Sequence, residues 1–194
     1  KPSFKMEANE LPSISELNKE YFNNESSKYD SHPTRYLCAK KCAEAILKEI
    51  EDFEDLEGSE VMDFACGTVD SSQNMVNEYN KKVWQQGIDQ EEMHAICLEL
   101  KESEGNQLNG RKFDLVVCAS AYHHLEDINS MTRVLASYLK QDGTLIVLDL
   151  KKQPELSHRF HGEVNVVSHR GGFDPKELEN IFLETGTLKD VDSK

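Results

Sequence analysis

The sequence predicts an α/β fold with a mainly parallel sheet and helices on both of its faces. Three observations point there. Short apolar runs at 61–65, 113–119 and 144–150 alternate with segments whose apolar residues recur every three or four positions. Two of those runs, FDLVVCA and TLIVLDL, are almost continuously apolar, as strands are in a sheet covered on both sides. The chain has 194 residues, 38% of them hydrophobic, which is enough for one domain with a real core.

Taken in order, residues 1–12 carry two prolines and no period and read as an arm. Residues 14–22 form a short helix with Ser13 or Ser15 as its cap, so 1–33 is an N-terminal arm and cap helix and 34–194 the main domain. A long helix starts near Thr34, with Tyr36, Ala39, Ala43, Ile46, Ile50 and Phe53 on one face, and ends before Gly58. Residues 61–65 are a short, buried first strand. Ser71 or Ser72 caps the next helix, which turns Met75, Tyr79 and Val83 inward and closes at Gly87. HAICLEL, 94–100, reads as a strand, and FDLVVCA as the clearest one. Asp127 or Asn129 opens a helix with Ile128, Met131, Leu135 and Tyr138 on one side. Asp142-Gly143 turns the chain into the strand 144–150. Asp174-Pro175 opens a last helix carrying Leu178, Ile181 and Phe182, Gly186 ends it, and a strand begins at 188–191.

The composition excludes several classes. A net charge of −14, with basic residues only in pairs such as Lys40-Lys41 and Lys81-Lys82, argues against nucleic acid as a partner. No apolar run approaches the ~20 residues of a membrane helix, so no membrane partner is expected. The opening KPSFKMEANE has no apolar signal core and no initiator Met, so the natural start is expected upstream. The five cysteines, Cys38, Cys42, Cys66, Cys97 and Cys118, are an odd number set mostly in apolar segments. That is free-thiol usage and points to a reducing, cytoplasmic setting. Cys38 and Cys42 share a helix face at i, i+4. Packing as small hydrophobes explains them more simply than a metalloid site, and no zinc spacing or other metal site is present.

One spacing is anomalous. The stretch VMDFACGTVDSSQNM puts a strand, a small-residue loop and an acidic strand end within a few positions. Parallel neighbouring strands need a crossover of a dozen or more residues, yet Ala65 and Asp70 are five positions apart. The spacing predicts that roughly 20 residues are missing at Thr68–Val69, either passed over by the numbering or truly deleted. A true deletion would cripple a cofactor site.

These motifs resemble the class I S-adenosylmethionine-dependent methyltransferases of the small-molecule kind, over roughly residues 20 to 192. The family's glycine loop after the first strand is matched by Asp63-Phe64-Ala65-Cys66-Gly67-Thr68, with Ala65 in place of the first glycine. Its acidic residue after the second strand is matched by Asp70, followed by Ser71, with Met75 placed to pack on adenine. Its polar residue after the third strand is matched by Glu99, next to Leu100, where aspartate is commoner. Its segment after the fourth strand is matched by Ala119-Ser120-Ala121-Tyr122-His123-His124. Tyr29, in SKYDSHP, resembles a tyrosine that folds over the cofactor in relatives.

The resemblance implies a Rossmann-like sheet ending in an antiparallel strand that this chain does not complete. It implies S-adenosylmethionine as cofactor, held by Tyr29, Asp63, Ala65, Cys66, Gly67, Thr68, Asp70, Ser71, Met75, Glu99, Leu100 and Ala119. It offers His123 and His124 as candidate bases, either of which could instead anchor its loop. Methyl transfer by in-line displacement to a small-molecule acceptor is the expected function, since no added recognition domain is evident. The competing readings are a methyltransferase-like binding subunit without turnover, and a nicotinamide-dependent oxidoreductase, whose Gly-x-Gly-x-x-Gly loop fits poorly. The oligomeric state is left open.

Overall fold

The computed structural model describes residues 12–31, 33–51, 58–65, 73–102, 107–153 and 167–194. Helix α1, Ile14–Glu25, starts at Ser13 in a full capping box. The Ser13 hydroxyl accepts from the Glu16 N–H, and the Glu16 carboxylate accepts from the Ser13 N–H at 2.8 Å. A short 3-10 turn, Ser26–Ser31, precedes helix α2, Pro33–Glu49. Strand β1 is Val61–Asp63 and helix α3 Gln73–Gln85. Strand β2, Phe113–Ala119, leads into a 3-10 turn at Tyr122–His124, the histidine turn. Helix α4, Ile128–Ser137, is capped by the Asp127 side chain; strand β3 is Leu139–Leu148. Helix α5, Pro175–Glu184, has Asp174 as its cap and Pro175 in its first turn.

The sheet runs in the order β1-β2-β3 with all pairs parallel. This is the arrangement of strands 1, 4 and 5 in the doubly wound order 3-2-1-4-5, so the Rossmann-like α/β prediction holds. β3 starts earlier than its sequence suggests. Leu139 pairs with Phe113, residues 140–143 bulge, and the regular ladder resumes with Thr144 opposite Leu115. Gly143 sits in that bulge because a Cβ there would lie 2.8 Å from the Phe113 carbonyl oxygen.

β2 is the axis of the core, and its alternation divides two layers. Val116 and Cys118 face the larger cluster, built with Tyr122, Leu135 and Phe173 and joined by Leu178, Ile181 and Phe182 of α5. Leu115 and Val117 face Ile46 and Ile50, at the end of α2. Helices thus cover both faces, which is why the run FDLVVCA is apolar throughout.

Four expectations are corrected. Residues 94–100 form no strand. Instead, two side-chain amides serve the backbone where a neighbouring strand would. Asn80 donates to the Ala95 carbonyl and accepts its N–H, at 2.9 and 2.7 Å. Gln107 likewise donates to the Glu99 carbonyl and accepts the Lys101 N–H. In the 3-2-1-4-5 order this segment would pair with strand 2, and among the described residues no such strand exists. β1, for the same reason, is an edge rather than a buried strand, and Val61 is 53% exposed.

The third correction concerns α2. Tyr36 is 70% exposed, and Ala39 and Ala43 are exposed too. The inward side is the one carrying Cys42, Ala45, Ile46 and then Ile50, because only the end of the helix reaches the sheet. Fourth, 188–191 is not a strand; Asp190 takes a left-handed φ of 52°, which breaks an extended run. The junction Thr68–Val69 and Phe53 lie outside the described residues. No helix among the described residues is long and apolar enough to cross a membrane.

Candidate active site

The carboxyl ends of parallel strands in such a sheet form the usual crevice for ligands. Here Asp63 ends β1, Ala119 ends β2, and Asp149 directly follows β3. The register places Asp63 opposite Val117 and Ala119 opposite Leu148, so the two carboxylates flank the end of the middle strand. Cys118 between them is buried. Burial first, then the charges of Asp149 and Asp63, push its thiol well above the usual range.

Asp63 keeps an open face to solvent, yet the protein around its other sides desolvates it enough to raise its carboxyl to about 6. Just beyond it, Ala65 has φ 60°, a left-handed conformation that suits the glycine it replaces in the loop motif. Ser120, the first residue after β2, is also left-handed at φ 55°. Such strain tends to gather at functional sites. It carries the Ser120 hydroxyl to 4.0 Å from the Cys38 thiol and 3.8 Å from that of Cys42. Burial, chiefly, raises the Cys42 thiol.

The most constrained pair is His123 and Asp149, both almost fully buried. His123 Nδ1 lies 2.7 Å from Asp149 Oδ1, and the His123 backbone N–H donates to Oδ2 at 3.1 Å. The Leu150 N–H adds a third bond to the carboxylate. A carboxylate at Nδ1 holds that nitrogen protonated and makes Nε2 the basic one. The ring of His124 lies tilted against that of His123, with centroids 4.2 Å apart, and meets Phe22 of α1 edge-on at 5.5 Å. Residues 167–173 close the other side. The His169 N–H donates to the His123 carbonyl, and the Ser168 hydroxyl to that of His124.

The structure brings Asp63, Ala65, Ala119, His123 and His124 to one end of the sheet. Met75 is half-buried on α3. Leu100 is packed in the main core, and Glu99 is exposed, with its carboxylate 3.6 Å from the Lys101 ammonium. Neither therefore sits at a strand end. Tyr29 lies in the turn Ser26–Ser31, its side chain outside the description, and Cys66, Gly67, Thr68, Asp70 and Ser71 lie outside the described residues. Sequence reasoning misses Asp149 by reading 144–150 as plain strand. The signal for it is the single carboxylate in an otherwise apolar run.

Residues 62–145, which run from Met62 of β1 through the histidine turn to Leu145 of β3, match the family described as Methyltransferase domain. The chain carries a methyltransferase domain. An uncharacterized methyltransferase of Schizosaccharomyces pombe is 34% identical over 161 residues, covering 70% of this chain and 56% of its own length. The uncharacterized methyltransferase YcgJ of Bacillus subtilis is 26% identical over 84 residues, 43% of this chain and 31% of its own. The chain thus spans little more than half of the first relative and about a third of the second. Seventy per cent of 194 residues is about 136, whereas the S. pombe alignment runs over 161. About 25 aligned positions of that relative therefore face no residue of this methyltransferase domain.

Proposed function

We propose that this domain transfers a methyl group from S-adenosylmethionine to a small-molecule acceptor, with His123 as the base. The observation that carries the reading is the buried His123–Asp149 pair, set across the middle strand from Asp63 at the carboxyl end of the sheet. Asp63, Ala65 and Met75 fit the cofactor. A carboxylate open on one side suits a cationic ligand, a small residue lets the loop backbone approach it, and Met75 offers an apolar contact from α3. Asp70 and Ser71 would serve its ribose. S-adenosylmethionine, when bound, supplies a methyl group on a sulfonium, so the reaction is an in-line displacement. The chain's own task is to hold the acceptor in line, exclude water and accept a proton. His123 takes that proton at Nε2 while Asp149 stabilises the resulting imidazolium. A small acceptor is supported by the charge of −14, which disfavours polyanions. The four described cysteines are free thiols, in keeping with a cytoplasmic setting.

A second reading has its own support. Among the described residues β1 is an edge strand and side-chain amides serve the backbone at Ala95 and Lys101, and about 25 positions of the S. pombe relative are unmatched. These observations support a missing crossover and strand, which we infer fall at Thr68–Val69. A chain without them would be a methyltransferase-like binding subunit. Calorimetry tests the alternatives. Binding of S-adenosylmethionine and not NAD is the expected result. Binding of NAD alone would identify an oxidoreductase, and binding of neither a non-catalytic subunit.

A further inference from the structure

We propose that Cys38 and Cys42 form a two-thiol site for a trivalent metalloid of the monosubstituted arsenite class, RAs(OH)2, beside Ser120 at the carboxyl end of β2. The site does not rest on the methyl-transfer reading.

Cys38 and Cys42 stand one turn apart on α2, where i, i+4 neighbours have Cβ atoms about 5–6 Å apart. Both sulfurs reach one atom. The Ser120 hydroxyl oxygen lies 4.0 Å from Cys38 Sγ and 3.8 Å from Cys42 Sγ. Ser120 is held there by its left-handed φ of 55° and by its N–H, which donates to the Leu148 carbonyl at 2.7 Å. The two thiols also interact directly with each other. Packing as small hydrophobes would account for the pair if both were covered. Cys38 is exposed, Cys42 is only partly covered, and α2 has no buried residue. An exposed thiol beside a second thiol is open to reagents from solvent.

The number of ligands narrows what can bind. Zinc takes four protein ligands in structural sites and three in catalytic ones. Among the described residues, no group of three or more His, Cys, Asp or Glu side chains is placed to hold a metal ion. Two thiols suit a soft centre that needs only two. Protonation points the same way. Burial above all, opposed by a hydrogen bond from Ser120 and aided by Cys38 and Asp149, raises the Cys42 thiol, so it stays S–H near neutral pH. A metal cation binds the thiolate, which this environment disfavours. A monosubstituted arsenite instead consumes the thiol proton. Each S–H gives its proton to a departing hydroxide, two As–S bonds replace two As–O bonds, and two water molecules leave. The substituent R stays on arsenic, which remains trivalent, so the step needs no oxidant or reductant.

The test titrates phenylarsine oxide, which hydrates to such an arsenite, into the reduced full chain, followed by intact-mass spectrometry and thiol counting. Each chain should hold one phenylarsenic group, with two of its five cysteines lost from the thiol count. Bridging makes the second As–S bond intramolecular, so Cys38→Ser and Cys42→Ser should each weaken binding about 100-fold. Cys38 is exposed, so its substitution spares the fold and decides the matter even if Cys42→Ser does not fold. Cys66→Ser and Cys97→Ser should leave the affinity unchanged. A Cys38→Ser variant that holds the arsenical as tightly as the wild type, an adduct lost in Cys66→Ser or Cys97→Ser, or no adduct at all would overturn the proposal.

Discussion

Asp149 receives three hydrogen bonds in a place water hardly reaches, and two of them fix His123. Asp149→Asn keeps the shape but presents an amide to Nδ1, which disrupts the tautomer that makes Nε2 basic. Turnover should fall about 100-fold while the Kd for S-adenosylmethionine stays unchanged, as steady-state kinetics beside calorimetry will show. Asp63 makes a prediction in pH. Its carboxyl titrates at about 6 in the folded protein, against an ordinary 3.8. Between those values the folded state holds more protons than the unfolded one, so this residue's contribution to stability declines as pH rises through the window. The lowered carboxylates Glu16, Glu60, Glu102 and Asp114 act with opposite sign and at more acid pH. A wild-type minus Asp63→Asn stability curve should therefore slope downward from pH 4 to 6. Cofactor affinity should weaken as pH falls below about 6, and Asp63→Asn should flatten that dependence. Asp63 and both histidines were legible in the sequence because they belong to contiguous motifs. Asp149 was not, because its meaning depends on a partner 26 residues away.

The helices most readable in the sequence are those whose ends carry their own chemistry. Ser13 with Glu16, Asp127, and Asp174 with Pro175 each mark a start that local hydrogen bonds enforce. Ser13→Ala should cost about 1 kcal/mol in urea unfolding by leaving first-turn N–H groups without their cap. Faces are harder to read than ends. The apolar positions of α2 recur with helical spacing on more than one side, and the side that packs is chosen by where the sheet lies, so Tyr36 ends up in solvent. Segment 94–100 shows the same limit for strands. HAICLEL alternates well enough to be one, with Leu98 and Leu100 packed on the core. A strand also requires a hydrogen-bonded neighbour, which no local pattern supplies.

Among the described residues, the sheet is one part of a doubly wound order, with β1 at its edge. Val61 at that edge is joined in exposure by Ile96 and by Trp84, which is 71% exposed. Natural edges are usually short or charged, and this one is short, with a net charge of −14 over the chain to keep copies apart. Raising the salt screens that repulsion. Sedimentation should therefore show association growing with ionic strength in the wild type and reduced in Val61→Lys, with the unfolding midpoint little changed. The amides of Asn80 and Gln107 have a consequence for motion. Ala95 and Lys101 are tied by side chains that can swing away singly, whereas the β1–β2–β3 ladder opens as a unit. In hydrogen–deuterium exchange, the N–H groups of Ala95 and Lys101 should trade with solvent through local opening, at rates insensitive to low denaturant. Those of Val116 and Val117 should wait for global unfolding. The chain would thus carry two clocks, a fast one where the neighbouring strand is replaced by side chains and a slow one in the strands that remain.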